Sequence, residues 1–222
     1  MREIVLDTET TGLDPFSGDK IVEIGCVELF NHVPTGNTFQ KYLNPMKMMT
    51  QEVIDVHGLT NEFLSDKPLF KEIADDFLNF IGDDSLLVIH NAPFDMKFIN
   101  CELSTLGYSE IPMDRVCDTL VMARKKYPGS QVNLNALCKR FGIDLSARKK
   151  HGALLDSELL AEVYLELIGG REPVFGLKKE VKKEIEFKKV SDFTYRSYEI
   201  PEEEIEQHTE FVKKIKNSLW NI

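Results

Sequence analysis

The run Ser85-Leu86-Leu87-Val88-Ile89-His90 constrains the fold most strongly. Its consecutive apolar side chains would point to both faces of an extended strand, leaving neither face for water. Such a strand belongs in the middle of a sheet with layers packed on both sides. The flanking segments supply a sheet and its covers. Ile4–Thr8 and Ile21–Leu29 read as strands, with Val22, Ile24 and Cys26 on one face of the second. A turn over Asn31–Asn37, containing Pro34 and Gly36, predicts a third strand near Thr38–Leu43 and so an antiparallel meander. After Pro45 the period changes. Helices are predicted over Thr50–Val56, closed by His57-Gly58, and over Pro68–Ile81, where Leu69, Ile73 and Phe77 share a stripe. Further helices are predicted from Ala92 or Pro93 to Leu106, and over Asp118–Tyr127, Leu134–Phe141 and Ala153–Ile168, with a short strand near Val116. The sum is an α/β chain with a mixed five-stranded sheet, helices on its faces and a C-terminal extension.

The 222 residues suit one well-buried domain with an appendage, and 42% hydrophobic content is ordinary for a soluble protein. The opening apolar run is too short for a signal peptide, and no stretch approaches a membrane span, so a cytoplasmic protein without membrane contact is expected. Cys26, Cys101, Cys117 and Cys138 lack metal-binding spacing and read as reduced thiols. The net charge of −10 is unevenly placed: residues 171–222 hold 11 basic and 11 acidic residues, leaving 16 basic and 26 acidic in the first 170. That balance argues against a domain that clamps nucleic acid through a basic surface alone. A nucleic-acid enzyme so charged would need metal ions and a partner.

Candidate chemistry begins at Asp7-Thr8-Glu9-Thr10-Thr11-Gly12. Asp7 and Glu9 are two apart on a strand and so project from the same side, where mutual repulsion is relieved by a divalent cation such as Mg²⁺ or Mn²⁺. Taken singly, the pair reads as the solvated end of a strand. Asp95, in His90-Asn91-Ala92-Pro93-Phe94-Asp95, sits in the first turn of a helix, a position that favours an acid on dipole grounds alone. His151-Gly152-Ala153-Leu154-Leu155-Asp156 places a histidine before a helix and an aspartate just over one turn inside it. Asp118-Thr119 reads as a helix cap.

In order and context these stretches resemble the three motifs of the DEDDh class of 3′→5′ exonucleases, the DnaQ-like family on a ribonuclease H-like fold. Within it the closest similarity is to the epsilon, or proofreading, branch of bacterial DNA polymerase III. The motifs stand here as DTETTG (Asp7–Gly12), HNAPFD (His90–Asp95) and HGALLD (His151–Asp156), and the similarity spans residues 1 to about 170. It implies two divalent ions, Mg²⁺ or Mn²⁺, held by Asp7, Glu9, Asp95 and Asp156, with His151 as general base at the 3′ end of a DNA primer. It also implies that Thr10, Thr11 and Gly12 border the terminal nucleotide. His57, in Val56-His57-Gly58-Leu59-Thr60, resembles a family stretch beside the same pocket, although a capping histidine accounts for it nearly as well.

Residues 171–200 read as a charged linker. Residues 201–222 read as a helix with Glu202, Glu203 and Glu204 in its first turn, Lys213, Lys214 and Lys216 near its end, and a narrow stripe of Ile205, Val212, Ile215 and Leu219 leading to Trp220. That helix folds back on its own domain or docks into a groove of a partner. By the resemblance, the partner is the polymerase III alpha subunit. A sliding-clamp motif, expected just after the exonuclease domain, is replaced by Glu172-Pro173-Val174-Phe175-Gly176-Leu177, with Glu in the usual Gln position, which implies weak clamp binding. Two other readings stay open: a DEDDh enzyme acting on RNA ends or short oligonucleotides, and a non-catalytic scaffold that stabilises the polymerase.

Overall fold

The structure, a computed structural model, describes residues 1–148, 150–169 and 199–215. The chain divides into two compact units, Met1–Phe175 and Gly176–Ile222. The first is built on a five-stranded sheet of β1 (Arg2–Thr10), β2 (Ile21–Phe30), β3 (Val33–Tyr42), β4 (Leu86–Ile89) and β5 (Val116–Asp118), in spatial order β3-β2-β1-β4-β5. The β1–β2 and β2–β3 pairs are antiparallel, and β1–β4 and β4–β5 are parallel. The apolar run at Leu86–Ile89 lies between β1 and β5, as its two-sided hydrophobicity requires.

Alternation along β1 explains the two helical layers. Ile4 and Leu6 join Ile24, Leu87 and Ile89 beneath α3 (Phe70–Ile81) and α4 (Ala92–Thr105). Val5 instead joins Val27, Leu29 and Val88 beneath α5 (Thr119–Lys126), α6 (Leu134–Phe141) and α7 (Ala153–Ile168). Continuing the same period carries Asp7 and Glu9 toward the α7 face and Thr8 toward the α4 face. Two short helices, α1 (Gln51–His57) and α2 (Asn61–Leu64), pack near Val22 around Met49 and Leu64.

One expectation needs correction. The turn after β2 is only Asn31-His32, both with positive φ (49° and 66°), and β3 begins at Val33 instead of near Thr38. Two consecutive left-handed residues make the tight turn whose twist matches a hairpin. Pro34 pairs with Leu29 because β3 is an edge strand, where a missing N–H leaves no central ladder broken. The α2 helix, capped by the Thr60 hydroxyl accepting from the Phe63 amide, is a further element that pattern alone did not predict.

In the second unit, α8 spans Glu202–Lys214. Val212 on it is buried, while Ile205 and Phe211 are exposed, as is Ile215 just past its end. Leu219, Trp220, Glu172–Leu177 and most of the 171–200 segment lie outside the described residues. Among the described residues no helix is long and apolar enough to cross a membrane.

Candidate active site

The site forms where β1 and β4 end and α4 and α7 begin. Asp7 stands opposite Gly25 in the β1–β2 ladder, and a Cβ on Gly25 would fall 2.2 Å from the Ala153 carbonyl carbon and the Leu154 nitrogen. Only glycine lets the first turn of α7 lie directly on β2. Three contacts seat the helix there: the Ala153 amide donates to Glu23 Oε2 (3.1 Å), the Ser157 hydroxyl donates to the Gly25 carbonyl (2.9 Å), and the Lys126 ammonium donates to the Glu166 and Leu167 carbonyls at the far end (2.9 and 3.0 Å). Asp156, one turn into α7, is thereby carried over β1.

Asp95 arrives from the other layer. The Thr8 amide and hydroxyl both donate to its Oδ1, at 3.1 and 2.6 Å, tying α4 to β1. The turn ahead of α4 is held by β5 and α5. Asp118 Oδ1 accepts from the Asn91 amide (3.2 Å) as well as from the Leu120 amide of the helix it caps (2.9 Å), and His90 Nδ1 meets the Thr119 hydroxyl at 2.9 Å. Asn91 adopts φ 67°, a conformation that asparagine tolerates better than most residues.

Asp7, Glu9, Asp95, Asp156 and His151 line one cleft of about 390 Å³, together with His90, Asn91, Phe94, Asn133, Asn135 and Arg148. A larger groove of about 650 Å³ beside Phe16 and Met113 has Glu110 as its one acid, so the chemistry lies in the smaller space. Donor atoms of Glu9, His151 and Asp156 all lie within 4.8 Å of one another, close enough to share one cation. Asp7 and Asp95 fall outside that triplet and line the same cleft.

Electrostatics separate these acids. Burial, followed by repulsion from Asp95, Glu9 and Asp156, holds Asp7 well above the usual carboxylate range. Glu9 is pushed up to about 8 by burial and then by Asp156, Glu23 and Asp95. Burial likewise pushes Asp95 to about 7, outweighing the Thr8 hydrogen bonds that pull it down. Asp156 goes the other way: burial pushes it upward, but the hydrogen bonds from Arg148 and His151 prevail and hold it below the ordinary aspartate value. Three acids therefore crowd together without enough positive charge, which fits a site built for divalent cations.

The remaining predicted residues are not in the cleft lining. The Thr10 hydroxyl donates to the Gly12 carbonyl (2.6 Å), and the Thr11 hydroxyl joins Asp19 (3.3 Å) and the Lys20 amide (3.0 Å). Gly12 abuts the Asp19 carboxylate where any Cβ would collide. These groups shape the turn beyond β1. His57 is buried; its Nδ1 accepts from the Leu59 amide (3.0 Å), and its buried Nε2 has no hydrogen-bond partner. The Val56 carbonyl beside it accepts from the His151 amide at 3.2 Å.

Sequence reasoning missed Arg148, Asn133 and Asn135. A signal was present: residues 124–150 hold eight Lys and Arg against one acid, Asp144, within an otherwise acidic domain. Asn133 and Asn135 also line a second groove with Gln131, Ala136, Lys139 and Arg140, so a polar and basic channel continues out of the acidic cleft.

A family model described as Exonuclease matches residues 4–164. The chain is 51% identical to a DNA polymerase III subunit epsilon from Rickettsia conorii over 99% of both chains. It is 49% identical to the protein of that name from Escherichia coli, over 77% of this chain and 72% of the other. Among solved structures, the nuclease domain of 3′hExo, a DEDDh family member bound to rAMP, superposes with a TM-score of 0.63 at 21% identity, covering 75% of this chain and 91% of that one, a likeness of fold. The chain belongs to the family of bacterial DNA polymerase III epsilon subunits, which are proofreading 3′–5′ exonucleases.

Proposed function

We propose that this cleft hydrolyses the last phosphodiester of a mispaired DNA primer, using Asp7, Glu9, Asp95 and Asp156 to hold two divalent ions, Mg²⁺ or Mn²⁺, and releasing 5′-mononucleotides. The observation that carries this reading is the convergence of the four acids and His151 in one cleft, with three of the acids short of compensating charge. Bound divalent ions would supply an activated water and neutralise charge on the phosphate oxygens. His151, half-exposed at the cleft edge, takes the proton from the attacking water, and Asp156 orients its ring from 3.2 Å. Asp95, fixed by Thr8, keeps its carboxylate aimed at the end of β1. Thr10, Thr11 and Gly12 form the rim against which the terminal nucleotide lies, with His57 buried behind it.

The DNA strand leaves the cleft along Asn133, Asn135, Lys139 and Arg140, where the local positive charge offsets the acidity of the domain. The second unit docks the enzyme on the polymerase III alpha subunit through Ile205, Val212, Ile215, Leu219 and Trp220 in the cytoplasm; the exposure of Ile205 and Ile215 and the names of the relatives support this, whereas Val212 is buried in this structure. Clamp binding through Glu172–Leu177 is weak. Tethering to the polymerase raises the effective concentration of primer ends without tight intrinsic affinity.

Digestion of a 3′-mispaired primer with Mg²⁺ or Mn²⁺ tests the site. Wild type releases mononucleotides, whereas Asp7→Ala combined with Glu9→Ala does not; equal activity in the two proteins would reject the assignment. Deleting residues 201–222 is expected to abolish co-purification with the alpha subunit while sparing primer digestion. Retained co-purification would reject the docking role.

A further inference from the structure

Arg148 lies in the loop before α7 and its side chain is 6% exposed. All three of its nitrogens are engaged at the acidic cleft. Nε and Nη2 donate to the two oxygens of Asp156, each at 2.5 Å, and Nη1 donates to Asn135 Oδ1 at 2.5 Å. Nη2 also stands 2.9 Å from His151 Nδ1. The same Nδ1 lies 3.2 Å from Asp156 Oδ2; because a guanidinium has no lone pair to accept with, Nδ1 either accepts from Arg148 or donates to Asp156, not both.

Both oxygens of Asp156 are turned to the guanidinium, and Arg148 competes with Asp156 for Nδ1 of His151. A divalent cation placed among Glu9, His151 and Asp156, whose donor atoms lie within 4.8 Å of one another, would also repel the guanidinium that occupies Asp156. The cation and Arg148 therefore compete for the same carboxylate.

We propose that Arg148 is a positioning residue that occupies both oxygens of Asp156 in the ion-free enzyme and is displaced when the divalent cation binds. Its departure leaves Nδ1 of His151 to Asp156 alone, with Nε2 to act as the base. Until then Arg148 keeps the wall of the cleft charge-balanced and catalytically silent. This inference rests on the metal-dependent reading given above.

The test is Mn²⁺ binding to the full chain without DNA, followed by calorimetry and by electron paramagnetic resonance of the free ion. Arg148→Gln is expected to bind Mn²⁺ about ten- to a hundredfold more tightly than wild type, the scale of losing a charge-assisted competitor. Nitrogen-15 spectra of ion-free protein are expected to show a larger share of the Nδ1–H tautomer of His151 in the variant than in wild type. Arg148→Lys, which keeps the charge but cannot fork across two oxygens, is expected to tighten binding a few-fold, and it gives the answer should Arg148→Gln not fold without metal. Unchanged or weaker Mn²⁺ binding in the folded variant would overturn the competition. Glu9→Gln in the wild-type background shows which reading has failed. If wild type has no Glu9-dependent Mn²⁺ site, the metal-dependent reading falls and this inference with it; if that site exists but the Arg148 variants do not tighten it, only this inference falls.

Discussion

The floor and the wall of the cleft solve the same electrostatic problem in opposite ways. On the floor, burial raises the proton affinities of Asp7, Glu9 and Asp95, and for Asp7 and Glu9 repulsion from neighbouring acids adds to it. On the wall, Asp156 is also buried but already paired with Arg148, and its proton affinity falls. Burial is common to both, so the difference comes from the partner. The floor is unstable in proportion to its charge and gains by binding ions. The wall is stable as it stands and must give up a bond to take part.

Substitutions can break this comparison, and the largest effect is on turnover. Asp7→Asn with Glu9→Gln is expected to lower primer digestion by roughly a thousandfold or more, as expected when ion-holding carboxylates are lost. The same variant is expected to melt at a higher temperature than metal-free wild type, since it removes mutual repulsion. His151→Gln, exposed and off the floor, is expected to cost about a hundredfold or more in kcat with little change in melting temperature. Stability then separates the two regions by sign. Glu9→Gln is expected to stabilise the metal-free protein by about 1–3 kcal/mol at pH 7. Asp156→Asn is expected to destabilise it by about 3–5 kcal/mol, because it strands a buried guanidinium. Denaturant titrations check both, and destabilisation by Glu9→Gln would erase the contrast.

The smallest effect is a pH slope. The folded state holds the Glu9 proton more tightly than the unfolded chain does, with the folded value about 8 against an ordinary 4.5. Stability of the metal-free protein therefore falls as pH rises through that window, and Glu9→Gln flattens the fall. Melting curves between pH 5 and 8 read this directly.

The meander, the central β4 and the helical layers were legible because period-two and period-four patterns survive in the sequence wherever one face is buried. The three acidic stretches were legible because each sits where an element begins or ends, with glycine or proline beside it. The start of β3 was not legible: Pro34 and Gly36 mark a turn in most settings, and only their place on an edge strand lets pairing run through them. Arg148 and Asn135 were hidden for another reason. The loop carrying Arg148 has no periodicity, and its contact with Asp156 depends on α7 lying flat on Gly25. Whole-domain charge also concealed the basic stretch at residues 124–150, whose eight cations vanish in an acidic average.

The central claim is that the uncompensated floor, together with Asp156, binds the catalytic ions. Anomalous diffraction from crystals soaked in Mn²⁺ measures this most directly. The expected result is manganese within about 2.1 Å of carboxylate oxygens of Asp7 and Glu9, with Asp156 completing the set and the Arg148 guanidinium displaced. Manganese bound only elsewhere, with the floor carboxylates bare, would contradict it.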